Sequence, residues 1–531
     1  MVQRQNVSRL HEIAEWPPTD SSNLSQDKMR QREESLTKST GRALSWNYLG
    51  SFTRLFLSFG VNILMTRLLG PRPFGQLAVA MLLFGFGNLL AGIGVTSALI
   101  QKEELTDRDI RFCFTAQMIM GGIVSLLLVF SAPAWSAFFH QPELTFLLRV
   151  LSPLFILQSF GTTSTALLNR AQNTRAIQTA SIISYLVAYI CIAVPMAFLG
   201  YGVWSLVIAY LAQALVNGLI VYLQSRHSLL PLLHRDAAPL FHFGLSVLGA
   251  NLCNWGISNL DNTVVGRVSG PVALGLYSRA FTLASLPAES VISNLLQVLL
   301  PSFSRVQADT KRLARVYVAV LGLIAFILLP PFCAMAAVPD VIVLGLYGAK
   351  WTGAVWLFQP LALAIPINAM MALSGPILAA RGKPHAEMRM QFVVVVIAIV
   401  VYSLSVRHSV QCLSWTVLAV YLVRFVLLTR AALREIGGHW LDIAGVMWPA
   451  FVLAGIAASS AALINWQLLA TAMWERLAVV AIGAALPTIV CVILGNRVLL
   501  LPILRNVPQA QALLYTKFAQ LYPFKSSGNP L

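Results

Sequence analysis

Apolar runs of roughly twenty residues recur along this chain. They lie at about 45–67, 74–98, 112–133, 145–167, 177–198, 202–224, 241–266, 277–300, 314–337, 353–379, 390–406, 410–430, 444–465 and 475–500. A helix of about 20 residues crosses the hydrocarbon core of a bilayer, whereas barrel strands would show ten-residue stretches of alternation, and none stands out here. The pattern predicts an all-α polytopic membrane protein of about fourteen transmembrane helices. Its first run carries a polar stripe: Ser51, Arg54, Ser58 and Asn62 fall at i, i+3, i+7 and i+11, on one face of a helix. Two hundred residues later Asn251, Asn254, Ser258 and Asn262 repeat that spacing, with Asp261 alongside. Such a stripe is costly against lipid and tolerable against a partner helix or water.

The turn that follows each stripe repeats as well. Arg67, Gly70, Pro71, Gly75 and Ala80 match Arg267, Gly270, Pro271, Gly275 and Ala280 at the same offset. The shared R-x-x-G-P-x-x-x-G reads as a helix end, a glycine cap, and a proline that cannot continue the preceding helix. A period this long is no solenoid and fits duplicated transporter halves. The expected organisation is a tail over 1–43, a six-helix bundle over 44–225, a linker over 226–240, a second six-helix bundle over 241–431, an accessory helix pair over 432–500, and a tail over 501–531.

Charge places these segments relative to the membrane. Lys102, Arg108 and Arg111, Arg170 and Arg175, Arg226 and Arg235, Arg305 and Lys311, Arg381 and Lys383, and Arg430 and Arg434 all fall in alternate connections. The connections between them hold few basic residues, with Arg67, Arg72, Arg267, Lys350 and Arg407 as exceptions. The bias predicts cytoplasmic termini and makes the halves a parallel repeat. It also accounts for the net charge of +17 without a nucleic-acid partner. Residues 1–43 contain no apolar core, so no cleavable signal peptide is expected and the first run should serve as the insertion signal.

Composition agrees with this reading. Hydrophobic residues make up 57% and charged residues 11%, against about 25% charged in soluble domains. Mean hydropathy is +0.73. The six cysteines lie singly in apolar segments and read as small buried residues. No phosphate-binding G-x-x-x-x-G-K-[ST] loop, metal-ligand spacing or G-x-S-x-G elbow is visible, so neither an enzyme nor a cofactor is expected.

The candidate chemistry therefore rests with ionisable residues inside the spans: Arg54, Arg149, Arg279 and Arg424, with Asp261 and Glu289 as acidic counterparts. More arginine than carboxylate favours an anionic cargo, because the planar guanidinium fork suits phosphate. Arg54 and Arg149, with Ser58, Asn62, Asn251, Asn254 and Asn262, are the cavity candidates. Asp261 and Glu289 are candidates for coupling to a proton or sodium gradient, and Asp261 has a second reading as an architectural partner of Arg54 or Arg267. Arg279, near the end of its span, is expected to snorkel.

These segments carry a resemblance. TRLLGPRPFGQLAVA, GVTSALIQKEELT, NLDNTVVGRVSGPVALGLYSRAFTLASLP, LPSFSRVQAD and LYGAKWTGA resemble bacterial polysaccharide flippases of the Wzx type, above all the WzxC-like subgroup, over most of 45–430. GPRPFG departs from that pattern, which has an acidic residue before Phe-Gly. The resemblance implies the multidrug/oligosaccharidyl-lipid/polysaccharide exporter fold, with two six-helix bundles that alternate in access. It implies as cargo an undecaprenyl-pyrophosphate-linked oligosaccharide moved to the periplasmic leaflet of a bacterial inner membrane. The implied partners are membrane lipids, a polysaccharide polymerase and its chain-length machinery. A cation-coupled multidrug antiporter of the same superfold is the alternative.

Overall fold

The computed structural model describes residues 50, 53–91, 99, 105–232, 255–256, 258–306, 309–468 and 471–494. All regular structure among them is helical. Ten of the helices are long and apolar enough to cross a membrane. The spans expected at about 45–67, 74–98, 241–266 and 475–500 run onto residues outside the described ones, as do both expected tails, Asn251 and Asn254.

The chain falls into two compact units. In the first, α1 spans 53–68 and α2 spans Pro71–Ala91, of which the part from Leu83 belongs here. They are followed by α3 (Asp107–Phe139), α4 (Glu143–Leu151), α5 (Leu154–Arg170), α6 (Thr174–Phe198) and α7 (Val203–Ser225). Small residues set how closely these helices pack. On α5 a Cβ at Gly161 would lie 3.1 Å from the Gly218 Cα of α7. Gly87 of α2 leaves room for the Phe155 ring, which stacks on Phe84 at 4.4 Å. In lipid, helices gain little from the hydrophobic effect when they meet, so such close backbone approach supplies much of the contact energy.

The helix α6 is not regular. Pro195 has no N–H to offer the carbonyl one turn back, and its ring crowds that carbonyl. The hydrogen-bond ladder just before it widens into a π-helical stretch, Leu186–Ala193. Such stretches are rare and gather at functional sites.

The second unit contains α8 (258–268), α9 (Gly270–Val306), α10 (Thr310–Ala337), α11 (Pro339–Tyr347), α12 (Thr352–Met371), α13 (Ser374–Ala380), α14 (Pro384–His408), α15 (Val410–Ile436), α16 (Trp440–Gln467) and α17 (Met473–Leu494). Apolar on every side, α12 is the centre of this unit, with Phe358, Leu361 and Ala362 fully buried. The accessory pair packs on α10, where Gly322 accommodates the Val446 side chain. Arg476 of α17 reaches Asp340 at 3.4 Å and also bonds to the Asn465 side chain.

Leu69–Leu82 and Phe138–Gln141 belong to this second unit. The repeated turn explains why. A Cβ on Gly75 would collide with the Pro271 carbonyl, and one on Gly275 would collide with the Pro71 carbonyl. The two copies thus cross reciprocally, each glycine against the proline of the other, as in a two-fold contact. The caps differ: Gly270 takes a left-handed φ of 80°, and Gly70 does not. Around the crossing, Phe74 packs edge-on to Trp351 at 5.7 Å, and Arg279 lies over the Phe74 ring at 4.5 Å. Arg279 is therefore engaged with a ring within the unit, beyond the snorkelling expected of it.

The start of the expected linker folds back on the first unit. Arg226 takes the left-handed conformation and turns the chain. The Leu232 N–H then donates to the Thr115 hydroxyl at 2.9 Å, and Arg111 donates to the Leu230 carbonyl at 3.1 Å. Between them His227 is buried, its Nε2 3.1 Å from the Ser164 hydroxyl and its ring against Phe114 and Tyr222. Burial lowers its pKa from the usual 6.5, and the hydrogen bond to the Ser228 carbonyl opposes that shift.

Two outcomes follow. Gly75→Ala should lower the stability of the full chain in detergent by about 1–3 kcal/mol through overpacking against backbone. Gly60→Ala, with nothing within 4 Å of the new methyl group, should not lower it. For His227, the unfolded imidazole takes up a proton that the buried one resists. Stability should be full above about pH 6.5 and decline as pH falls below that value, down to the lowered folded pKa. Thermal unfolding at pH 8 and pH 5.5 should show a smaller acid loss for His227→Gln than for the wild type; equal losses would remove His227 from the account.

Candidate functional site

In the first unit the polar stripe of α1 meets α6. A Cβ on Gly50 would lie 2.9 Å from the Gln178 Cβ, and one turn further Arg54 Nη1 donates to the Ser181 hydroxyl at 3.2 Å. The pairing advances in the same direction on both elements, so they run parallel, as first and fifth spans must. Arg54 is exposed. Ser181 lies about 10 Å along α6 from its first residue, and Tyr185 about 16 Å. Tyr185 stacks on Tyr189 with centroids 4.4 Å apart, and Tyr189 meets Tyr210 of α7 edge-on at 6.2 Å. Arg54 and Tyr210 are both within electrostatic range of the Tyr185 hydroxyl.

The rest of the stripe is more inward-looking. The Ser58 hydroxyl donates to the Leu55 carbonyl of its own helix at 2.9 Å. Asn62 is half-buried, and its backbone carbonyl accepts from the Thr66 hydroxyl at 2.7 Å. Arg149 is exposed on α4, whose other face buries Leu144, Leu147, Leu148 and Leu151. It sits about 9 Å from the start of the span Glu143–Arg170. That span ends where α6 begins, so Arg149 and Arg54 stand near opposite ends of the unit. A single phosphate does not reach both.

The second unit holds a different constellation. Asp261 is only 3% exposed, and its Oδ2 accepts from the Tyr277 hydroxyl at 2.6 Å. Its Oδ1 accepts from the backbone N–H of Asn262 at 2.7 Å and from the Asn262 side chain at 3.3 Å. Tyr402 and Tyr421 lie within electrostatic range of the same carboxylate. Arg424, one turn beyond Tyr421, donates to Gln391 at 2.8 Å and faces Glu387. Arg267 instead bonds to the Phe138 carbonyl and His140, so it is not the partner of Asp261. Glu289 is exposed on α9.

Sequence reasoning passed over all six tyrosines. For Tyr185 and Tyr189 a signal was present, a four-residue spacing beside a proline in an apolar run. For Tyr277, Tyr402 and Tyr421 there was none, because three separate helices bring them to Asp261.

The family model described as polysaccharide biosynthesis protein matches residues 64–356. The succinoglycan biosynthesis transport protein ExoT of Rhizobium meliloti (strain 1021) is 30% identical over 344 residues, 64% of this chain and 67% of ExoT. The lipopolysaccharide biosynthesis protein WzxC of Escherichia coli (strain K12) is 21% identical over 346 residues, 65% of this chain and 70% of WzxC. Among solved structures, the lipid II flippase MurJ in an inward closed conformation aligns with a TM-score of 0.67 at 12% identity, covering 89% of this chain and 99% of that one. An inward-facing multidrug resistance MATE family transporter of the MOP superfamily aligns with a TM-score of 0.59 at 13% identity, covering 72% and 94%. At these identities the two structures speak for the fold alone. Both copies of the repeated turn lie inside the matched region, and the chain belongs to the polysaccharide biosynthesis protein family of Wzx-type flippases.

Proposed function

We propose that this protein moves undecaprenyl-pyrophosphate-linked oligosaccharide repeat units from the cytoplasmic to the periplasmic leaflet of a bacterial inner membrane, by alternating access, for exopolysaccharide, capsule or O-antigen synthesis. The observation that carries this reading is Arg54, an exposed guanidinium inside a span, held by Ser181 and next to Tyr185. An exposed arginine at that depth needs water or an anion beside it. A pyrophosphate supplies the anion, and charge-assisted hydrogen bonds to it are strong where solvent is scarce.

The cargo's difficulty is desolvation. Sugar hydroxyls and phosphates lose several kcal/mol each when stripped of water without replacement, of order 2–7 for a neutral group. Arg54 near one end of the first unit and Arg149 near the other can serve the headgroup at successive stages, with Ser58 and Asn62 of the same helix as Arg54 as polar neighbours and Asn251, Asn254 and Asn262 as further candidates. Asp261 is the favoured coupling group, since a sealed carboxylate changes its surroundings whenever it takes up a proton or a sodium ion; Glu289 is the second. Both termini are placed in the cytoplasm, with a polymerase and chain-length machinery as downstream partners. A cation-coupled multidrug antiporter remains the second reading, favoured by the MATE-like fold and the buried Asp261.

Purified protein in vesicles containing the lipid-linked oligosaccharide should make the sugar accessible to a lectin on the opposite side. Arg54→Ala should slow this at least tenfold with the fold intact. Drug or cation exchange without movement of any such lipid would establish the antiporter instead. If transport is stimulated by an imposed proton or sodium gradient, Asp261→Asn should abolish the stimulation; undiminished stimulation would return Asp261 to an architectural role.

A further inference from the structure

Tyr185, Tyr189 and Tyr210 have no role in holding a phosphate, yet Tyr185 lies beside the residue assigned to it and the other two rings pack on from there. Their arrangement is built. Tyr185 and Tyr189 stack with 24° between ring planes, and Tyr210 braces the buried Tyr189 edge-on at 77°. Tyr185 and Tyr210 are half-buried, and neither hydroxyl bonds to a described residue. Buried tyrosine hydroxyls ordinarily find a partner, so these two are open to something that brings hydroxyl groups of its own. The stretch also begins where α6 widens into its π-helical turns.

A lipid-linked saccharide has such groups and one further feature. The C–H bonds on one side of a pyranose ring present slight positive charge, and the face of a tyrosine ring presents negative charge. A sugar laid on that face also keeps its rim hydroxyls free for the phenolic oxygens, which donate and accept. Rings already fixed against one another lose little freedom on binding. Purely structural packing would explain Tyr189, which is buried, but not the half-open Tyr210, nor the half-open Tyr185 next to an exposed arginine.

We propose that Tyr185 and Tyr210, braced by the buried Tyr189, form a sugar-stacking subsite in the first unit, in which a pyranose ring adjoining the pyrophosphate rests while Arg54 holds the phosphate. The inference rests on the flippase reading and refines it. The subsite recognises the ring and its C–H face, so it tolerates different sugars and gains affinity only from lipids that carry one. Arg54 gains affinity from the phosphate whether or not a sugar is attached.

The test measures equilibrium binding of two probes to the full chain in nanodiscs: undecaprenyl pyrophosphate, and undecaprenyl pyrophosphate linked to glucose. The wild type should bind the sugar-bearing probe more tightly. Tyr185→Leu and Tyr210→Leu should each weaken that probe by about tenfold, roughly the scale of a lost aromatic contact, and leave the bare lipid within about twofold. Tyr185→Phe should lie between wild type and Tyr185→Leu, and Arg54→Ala should weaken both probes together. Equal wild-type affinity for the two probes would overturn the subsite while leaving the phosphate site standing. Parallel loss of both probes in the tyrosine variants would reassign these rings to structure. Failure of the wild type to bind either probe would overturn the flippase reading itself.

Discussion

Everything polar in this molecule answers to one constraint: hydrocarbon offers no hydrogen bonds. A charged side chain at the middle of a span is disfavoured by roughly 3 kcal/mol even on the mildest scales. Three of the charges within the spans show how that penalty is met. Arg279 lies over the Phe74 ring, and Arg424 donates to Gln391. Asp261 draws in the Tyr277 hydroxyl and two donors from Asn262. Arg54 differs, because its one described hydrogen bond, to Ser181, leaves most of the guanidinium exposed. Arg149 and Glu289 are exposed as well, and it is this exposure that the proposed anionic cargo would answer at Arg54.

Much of this was legible in the order of residues. The twenty-residue apolar runs specify the helices, since only helices satisfy their own backbone in lipid. The repeated R-x-x-G-P-x-x-x-G also had structural meaning beyond its role as a helix stop. Its second glycine, which a cap does not require, is where the two copies cross and where no side chain fits. That crossing explains why Leu69–Leu82 belongs to the compact unit of the second half although it lies in the first half of the sequence. Contacts at a shared turn outweigh chain connectivity there.

The tyrosines were not legible, for a physical reason. Tyrosine is tolerated in apolar spans both as a core residue and as a polar handle, and only its neighbours across helices decide between the two. Tyr277 is separated from Asp261 by sixteen residues but joined to it by a 2.6 Å hydrogen bond, because the intervening turn at Gly270 returns the chain alongside itself. The π-helical stretch is similar. Pro195 signals an irregularity, but the direction in which the ladder relaxes depends on packing around Tyr189.

The two units resemble one another in plan and differ in sign. In each, an ionisable residue of the first helix, within the polar stripe (Arg54) or beside it (Asp261), has tyrosines of later helices near it. In the first unit it is an exposed arginine, and in the second a carboxylate that is 3% exposed. An exposed cation can exchange a bulky anionic ligand, because nothing has to move for the ligand to reach it. A sealed carboxylate cannot do that; in the coupling role proposed for it, an arriving proton or sodium ion would change the hydrogen bonding of Tyr277 and Asn262. The two charges do not occupy matching positions, since Arg54 corresponds to Asn254 and Asp261 to Val61, so the copies have diverged at different points of a like scaffold. Under the roles proposed for Arg54 and Asp261, the excess of arginine over carboxylate along the chain reflects a division of tasks rather than a uniformly cationic interior.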